Sequence, residues 1–328
     1  MARVLITGVS GQDGVYLAEQ LLARGDSVVG TTRGDPLDAK SRLSPASESV
    51  QLRELDLRDA RAIDALIGDA MPEQIYHLAA PAAPYLAWKS PAEATDGLCT
   101  VPARLLEAML RHVPSARLVF AGSCQVFGPD SKAPQDELTP FTPLTPYGAG
   151  KAYGALLVSA FRDGRGVHAS TALLFNHESA RRQADYVTTK ICRAAVRIAA
   201  GDKTATPMTL GALDVVRDWG HARDHMDALV RMADAATPAD YVIGTGVGRT
   251  VQEFCAAAFA RVGLDWKAHV THDPSLSRSG DVPALVANPR KAAQRLGWSA
   301  TTSFESLLDE LLDAARSALA VAPTTATR

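Results

Sequence analysis

Tyr147 and Lys151 stand four residues apart in Pro146-Tyr147-Gly148-Ala149-Gly150-Lys151, and a helix over 147–160 would set a phenol and an ammonium on one face. A cation at that distance is expected to lower the phenol's pKa towards neutrality. A phenolate poised there can take a hydroxyl proton while a nicotinamide takes the hydride from the same carbon. Ser123, at the end of an earlier apolar run, is expected to aim its hydroxyl at the same substrate oxygen. Taken alone, Tyr-x-x-x-Lys is a weak signal, because exposed amphipathic helices often carry those residue types. Its weight comes from a glycine loop at the start of the chain, Gly8-Val9-Ser10-Gly11-Gln12-Asp13-Gly14.

These groups need elements to hold them. Residues 3–7 form an apolar run ending at Gly8, residues 15–24 carry Leu17, Leu21 and Leu22 at helical spacing, Gly25-Asp26 breaks the helix, and residues 27–32 read as a second strand. Further strands are expected at 51–57, 74–80, 117–123 and 169–175, separated by helical stretches. The fold class that follows is α/β, a doubly wound parallel sheet of the Rossmann type. After residue 176 the pieces shorten, with strands at 208–210 and 241–244. The expected organisation is a dinucleotide-binding domain over 1–175, a smaller, mainly helical lobe over 176–317 with the chain free to cross back, and a frayed tail over 318–328.

The glycine loop differs from the commonest dinucleotide fingerprint by one residue in its first spacing, but it can do the same work, bringing backbone against a pyrophosphate at a helix N-terminus. Gly8, Gly11, Gln12, Asp13 and Gly14 are therefore candidate cofactor contacts. Arg33 follows the second strand, where an enzyme preferring NAD presents an acid to the ribose, so a guanidinium favours the 2′-phosphate of NADP. Gly34 beside it offers no second cation, and NAD remains the other option. Asp56, next to Leu57, is placed to accept from an adenine amino group, with a helix cap as the plainer reading. Leu78, Ala79 and Ala80 would let backbone lie close to the cofactor, although small core residues explain the alanines equally well.

The bulk numbers exclude several classes. With 34 basic and 36 acidic residues the formal charge is −2, so no global field favours nucleic acid or an anionic membrane. No apolar run approaches the roughly 20 residues that span a bilayer. Cys99, Cys124, Cys192 and Cys255 show no ligand or redox spacing, and reduced thiols in the cytoplasm are expected. Cys124 reads as a small buried side chain, and His177 and His221 have no neighbours at metal-ligand spacing, so no metal is expected.

Taken together these residues resemble the extended short-chain dehydrogenase/reductases and, among them, the GDP-mannose 4,6-dehydratase family. The opening through Gly14, then Tyr16-Leu17-Ala18-Glu19, resembles that family's start. Two more specific stretches are Phe175-Asn176-His177-Glu178-Ser179 with Arg181-Arg182, and Arg217-Asp218-Trp219-Gly220-His221-Ala222-Arg223-Asp224. The resemblance runs over roughly residues 3–298. It implies a cytoplasmic, NADP-using homodimer or homotetramer acting on a GDP-linked sugar, with the second lobe binding the nucleotide sugar. It further implies His177 at the cofactor, and Asn176, Glu178, Lys190, Arg217, Arg278 and Asp281 at the substrate, with Asp281 where the family has a Glu. Arg181 and Arg182 are implied at a subunit contact.

The departures carry consequences. Where the family reads Ser-Thr-Ser-Glu, this chain has Gly122-Ser123-Cys124-Gln125, so its catalytic Thr becomes Ser123 and its carboxylate becomes Gln125. A carboxamide cannot take up the carbon-5 proton that a 4,6-dehydratase removes. The loop after the fourth strand also departs, with Pro81-Ala82-Ala83 in place of Gln-Ser-His. The expected reaction is therefore oxidation at sugar carbon 4 followed by return of the hydride, a 4-epimerisation of a GDP-sugar such as a GDP-heptose, carried by Tyr147, Lys151 and Ser123 beside Gln125. The alternatives are a retained dehydratase, a 4-keto-sugar reductase, and a silent GDP-sugar or NADPH sensor.

Overall fold

The structure is a computed structural model, and it describes residues 1–34, 36–43, 48–80, 84–276 and 280–321. Strand-forming runs such as Arg3–Thr7 are apolar without alternation, which suits strands covered on both faces. In the first half the order is β1 (Arg3–Thr7), α1 (Gln12–Ala23), β2 (Ser27–Thr32), α2 (Pro36–Arg42), β3 (Gln51–Glu54), α3 (Ala60–Ala70), β4 (Gln74–His77), α4 (Pro84–Lys89), α5 (Pro91–Thr95), α6 (Val101–His112), β5 (Arg117–Ala121), α7 (Pro146–Arg165) and β6 (His168–Leu174). Then follow β7 (Asn176–Glu178), α8 (Val187–Ala199), β8 (Met208–Leu210), β9 (Val216–His221), α9 (Ala222–Asp234), β10 (Tyr241–Ile243), β11 (Gly248–Thr250), α10 (Val251–Ala260), β12 (Val270–His272), β13 (Ala284–Leu285), α11 (Arg290–Leu296) and α12 (Phe304–Val321).

Seven strands form one sheet in the order β3-β2-β1-β4-β5-β6-β10, with every pairing parallel. The order reverses between β1 and β4, and in sheets of this kind the crevice outside the strands' C-terminal ends at that switch point is the usual ligand site. Val4 and Ile6 pack on one face with α1 and α9, while Leu5, Ile75 and Phe120 pack on the other with α3, α6 and α7. Each fully buried aliphatic side chain contributes about 1.5–3 kcal/mol relative to exposure.

A second core gathers α8, α10 and α12 around Trp219. Two small sheets accompany it, one of β11-β9-β13 with β7 paired to β9, the other of β12 and β8. β6 ends at Leu174 and β7 begins at Asn176, so the chain steps from the large sheet into the small one in two residues. That junction brings His177 against Gln12 and Asp13 at the start of α1.

Some boundaries differ from the sequence expectations. The third strand stops at Glu54 because Asp56 turns back to accept from the Arg58 amide, and Asp59 then caps α3. The fourth stops at His77. α1 begins at Gln12, directly on the glycine loop. Residues 241–243 do not build the second lobe but extend the large sheet beside β6. α12 runs to Val321, so the first part of the expected frayed tail is helical, and the rest lies outside the described residues. Among the described residues no helix is long and apolar enough to cross a membrane.

Candidate active site

At the sheet's reversal, Gly8 has φ +76°, and a Cβ there would sit 3.0 Å from the Ala79 Cα. A Cβ on Gly14 would lie 2.5 Å from the Gly8 carbonyl oxygen, so only glycine lets α1 start this close to the loop. Gly11 is the residue before the helix, and no side chain caps it. The first-turn N–H groups of α1 are thus left facing the crevice, a cradle that fits a pyrophosphate. Thr7 holds the opposite wall, its hydroxyl accepting from the Ala79 amide at 3.2 Å and meeting His77 Nδ1 at 2.7 Å. Leu57 and Leu78 turn their side chains into the two cores, leaving only their backbone to face a ligand. Ala80 and Tyr147 both pack on a small cluster of Ala87, Ala94 and Leu98.

Gln12 and Asp13, expected at the cofactor through the loop they belong to, direct their side chains to β7 and Ser179. Gln12 Nε2 donates to the His177 carbonyl at 3.1 Å, and its Oε1 accepts from Ser179 at 2.9 Å. His177 Nδ1 lies 2.7 Å from the Phe175 carbonyl and Nε2 lies 3.0 Å from an Asp13 carboxylate oxygen. Neither acceptor carries a hydrogen, so both ring nitrogens donate and the ring is an imidazolium. Burial opposes both charges, yet each partner overrides it, raising the His177 pKa and lowering that of Asp13. His225 stacks on this ring at 4.7 Å and is pushed down to about 3, first by burial and then by the His177 charge.

This pair makes stability depend on pH. The His177 contribution is complete below its unfolded value of about 6.5 and fades as pH rises through the raised folded value, while the Asp13 contribution is present above about 3.9 and fades as pH falls below it. Asp13→Asn should therefore cost about 3 kcal/mol in denaturant unfolding near pH 6, the cost of stranding a buried cation. A penalty that stays constant as His177 is titrated off at alkaline pH would sink the ion-pair assignment.

The catalytic candidates meet at the ends of β5 and α7. α7 is capped by Thr145, whose hydroxyl accepts from the Gly148 amide at 3.0 Å, and it starts at Pro146, one residue before the phenol. A Cβ on Gly148 would lie 2.2 Å from the Gln125 carbonyl oxygen, so glycine seats the helix directly on the turn bearing Ser123 and Gln125. Ser123 lies near enough to Tyr147 to pull its pKa down, and its Oγ accepts from the Gln125 backbone amide at 3.2 Å. Lys151 is buried, donates to the Ala121 carbonyl at 2.7 Å, and lies 5.9 Å from the Tyr147 ring centroid. Burial lowers its pKa to about 8 against the pull of Asp13.

The expected acidification of Tyr147 is not found in the protein alone. Burial raises the phenol's pKa, and the Ser123 hydrogen bond and the Arg182 charge only partly offset it. Lys151 donates one of its three N–H groups to the Ala121 carbonyl. Burial also pushes Cys124 up to about 12, so the thiol is inert packing beside the site.

The substrate candidates divide. Asn176 Oδ1 is buried without a partner, as befits a group awaiting a ligand. Lys190 is exposed on the first turn of α8. Glu178 is turned away from the crevice and buried, where its carboxylate accepts from Thr188 at 2.9 Å and pairs with Arg182 at 3.1 Å. Arg217 and Asp281 are brought together, but as an ion pair with each other, and the guanidinium also donates to the Val216 and Val282 carbonyls at 2.7 and 2.8 Å. A ligand at either must compete with that pair. Arg278 and Pro81-Ala82-Ala83 lie outside the described residues.

Arg181 and Arg182 have partners within the chain, Glu19 at 2.8 Å for the first and Glu178 with the face of Tyr186 for the second. Arg182 also acts electrostatically on both Asp13 and Tyr147, a role in the site that no local pattern around it signals. Other residues of the specific stretches are structural. Asp218 accepts from Thr245, Gly246 and Ala287, and Asp224 from Thr301 and Thr302. His221 is held by Glu310 at 2.9 Å. Among the described residues no group of three or more His, Cys, Asp or Glu is placed to hold a metal. Past the end of β3, Asp56 is gripped by Arg58 at 2.6 Å, with Arg33 close enough to add attraction.

Residues 5–311 match the family described as GDP-mannose 4,6 dehydratase. GDP-mannose 4,6 dehydratase 2 of Arabidopsis thaliana is 37% identical over 321 residues, covering 94% of this chain and 85% of that protein. The human GDP-mannose 4,6 dehydratase is 35% identical over 340 residues, covering 94% and 90%. Among solved structures, MoeE5 in complex with UDP-glucuronic acid and NAD superimposes with a TM-score of 0.83 at 25% identity, covering 96% of this chain and 99% of that one. UDP-glucose 4-epimerase of Thermotoga maritima gives a TM-score of 0.86 at 21% identity over 96% and 99%, a likeness of fold.

Proposed function

The chain belongs to the GDP-mannose 4,6-dehydratase family of nucleotide-sugar enzymes, and on that premise we propose that it oxidises carbon 4 of a GDP-linked hexose and completes a 4,6-dehydration. One observation carries the reading: Tyr147 on the first turn of α7, close enough to Ser123 to feel its hydroxyl and one helical turn before a buried Lys151 anchored on the end of β5. The uncapped first turn of α1, with Gly8, Gly11 and Gly14, would hold a dinucleotide's pyrophosphate, and Ala79 and Ala80 would line its path. Arg33 supports NADP over NAD. Asn176, Lys190 and Arg217 are the proposed nucleotide-sugar contacts, with the dinucleotide served by residues 1–175 and the sugar nucleotide by 176–317.

When bound, an oxidised nicotinamide would supply a hydride acceptor for carbon 4. Tyr147 takes the carbon-4 hydroxyl proton, Ser123 aligns that hydroxyl, and Lys151, anchored on the Ala121 carbonyl, adds favourable charge to the ionised phenol. Dehydration then needs the carbon-5 proton and the carbon-6 hydroxyl to leave as water, after which the hydride taken from carbon 4 would return to carbon 6 and a proton to carbon 5, giving the 6-deoxy-4-keto sugar with no net change in the dinucleotide. Gln125 cannot accept that proton, and loss of a general base typically costs about 10²- to 10⁴-fold. Elimination is therefore the slow step.

Gln125 also favours a second reading, 4-epimerisation, in which the carbonyl is reduced from the other face and carbon 5 keeps its hydrogen. Proton NMR of GDP-mannose turned over with NADP in deuterated water separates the two. Deuterium at carbon 5 with loss of the carbon-6 hydroxyl supports dehydration, inversion at carbon 4 without deuterium supports epimerisation, and an unchanged sugar sinks both. A homodimer in the cytoplasm completes the proposal. The exposed Tyr153 and Leu156 on α7 give a second copy something to cover, and four free cysteines suit a reducing compartment.

A further inference from the structure

β2 and β3 end side by side, with Thr32 paired to Glu54 and the Leu55 amide donating to the Thr32 carbonyl at 3.0 Å. Arg33 follows one strand and Asp56 the other, so they share the corner where the adenosine end of a dinucleotide lies when its pyrophosphate sits on α1. An acid in this corner repels a 2′-phosphate, whereas a guanidinium attracts it. This chain carries one of each.

Arg58 resolves the conflict. Its backbone N–H donates to Asp56 Oδ1 at 2.9 Å, its Nε reaches Oδ1 and Oδ2 at 3.1 and 2.9 Å, and its Nη2 donates to Oδ2 at 2.6 Å. A carboxylate offers about four lone-pair sites, and this clasp occupies nearly all of them. Adenine or ribose donors would find little left to bind. The Asp56 pKa falls to about 2, chiefly through the Arg58 hydrogen bonds, with Arg33 adding a smaller attraction. Around Arg58 stand Glu93 at 3.4 Å and the charge of Asp96, and the Arg58 carbonyl accepts from Arg104. Arg33 has a weaker tie to the acid, and its side chain is exposed.

From this geometry we infer that Arg58 determines dinucleotide specificity by neutralising Asp56, which leaves Arg33 to bind the 2′-phosphate of NADP. The inference rests on the dinucleotide reading given above. Arg58 touches neither the reacting atoms nor, in this role, the phosphate itself. It is a positioning residue that changes the charge its neighbour presents.

The test is calorimetric titration of the full-length protein with two adenosine fragments, 2′,5′-ADP and 5′-AMP, which differ by the 2′-phosphate alone. Arg58→Ala should weaken 2′,5′-ADP about fivefold relative to 5′-AMP, the scale of an exposed charge pair, and the change should shrink as salt is raised. Adding Asp56→Asn to Arg58→Ala should restore the original ratio, because the unmasked charge is gone. Arg33→Ala should weaken 2′,5′-ADP about tenfold in either background. Arg58→Lys keeps the charge, should retain most of the preference, and guards against a folding defect in the alanine variant. Equal weakening of both fragments by Arg58→Ala, or no restoration by Asp56→Asn, overturns the inference. If the unmodified protein binds neither fragment, the dinucleotide reading itself fails.

Discussion

Tyr147→Phe should slow carbon-4 oxidation by about 10²- to 10⁴-fold while leaving dinucleotide affinity unchanged, as read from the first-turnover appearance of reduced nicotinamide. The phenol is the group proposed to take the hydroxyl proton beside Ser123, and phenylalanine keeps the ring packed on the Ala87, Ala94 and Leu98 cluster while deleting the proton acceptor. The sign of the pH dependence follows from two opposed shifts. Burial raises the phenol's pKa, so oxidation by the unmodified protein should speed up as pH rises and a larger fraction is ionised. Lys151 loses its proton near pH 8, so its help to the phenolate fades above that point and the rise should flatten. In Tyr147→Phe the slope should vanish. A variant that keeps more than about a tenth of the rate would remove Tyr147 from the base's role.

Gln125→Glu should raise the elimination rate by about 10²- to 10⁴-fold and leave oxidation nearly unchanged. The substitution preserves shape and adds the missing proton acceptor on a turn held in place by Gly148 and by the Ser123 hydroxyl. The readout is the yield of 6-deoxy-4-keto sugar set against the yield of reduced nicotinamide in the same sample. If the unmodified protein already eliminates as fast as the variant, some other group takes the carbon-5 proton and Gln125 is not the brake. If the variant eliminates while the unmodified protein only inverts carbon 4, the epimerase reading gains and the amide is what separates the two outcomes.

Short-range features are legible in the amino-acid sequence. The glycine loop, the apolar strands and the Tyr147/Lys151 pair are of this kind, set by spacing within one turn or one strand. Groups whose partners come from distant sequence are not legible in the same way. Gln12 and Asp13 read as cofactor contacts from their place in the loop, yet their side chains are tied to His177 and Ser179, more than 160 residues away. Gly34 beside Arg33 points to a single cation, because Arg58 becomes its neighbour only when β3 pairs with β2. The Tyr147 pKa departs from expectation for a different reason. Spacing predicts that a cation is near, but it is silent on the desolvation that outweighs it.

The edge strand Tyr241–Ile243 returns from late in the chain to finish the large sheet against β6. A fragment ending near residue 175 would therefore expose the open edge of β6 and lack α9, which covers one face of that core. The two halves are interleaved, so they should melt in a single transition rather than in sequence. Dissecting the chain to obtain a free-standing dinucleotide module would yield an aggregating stump.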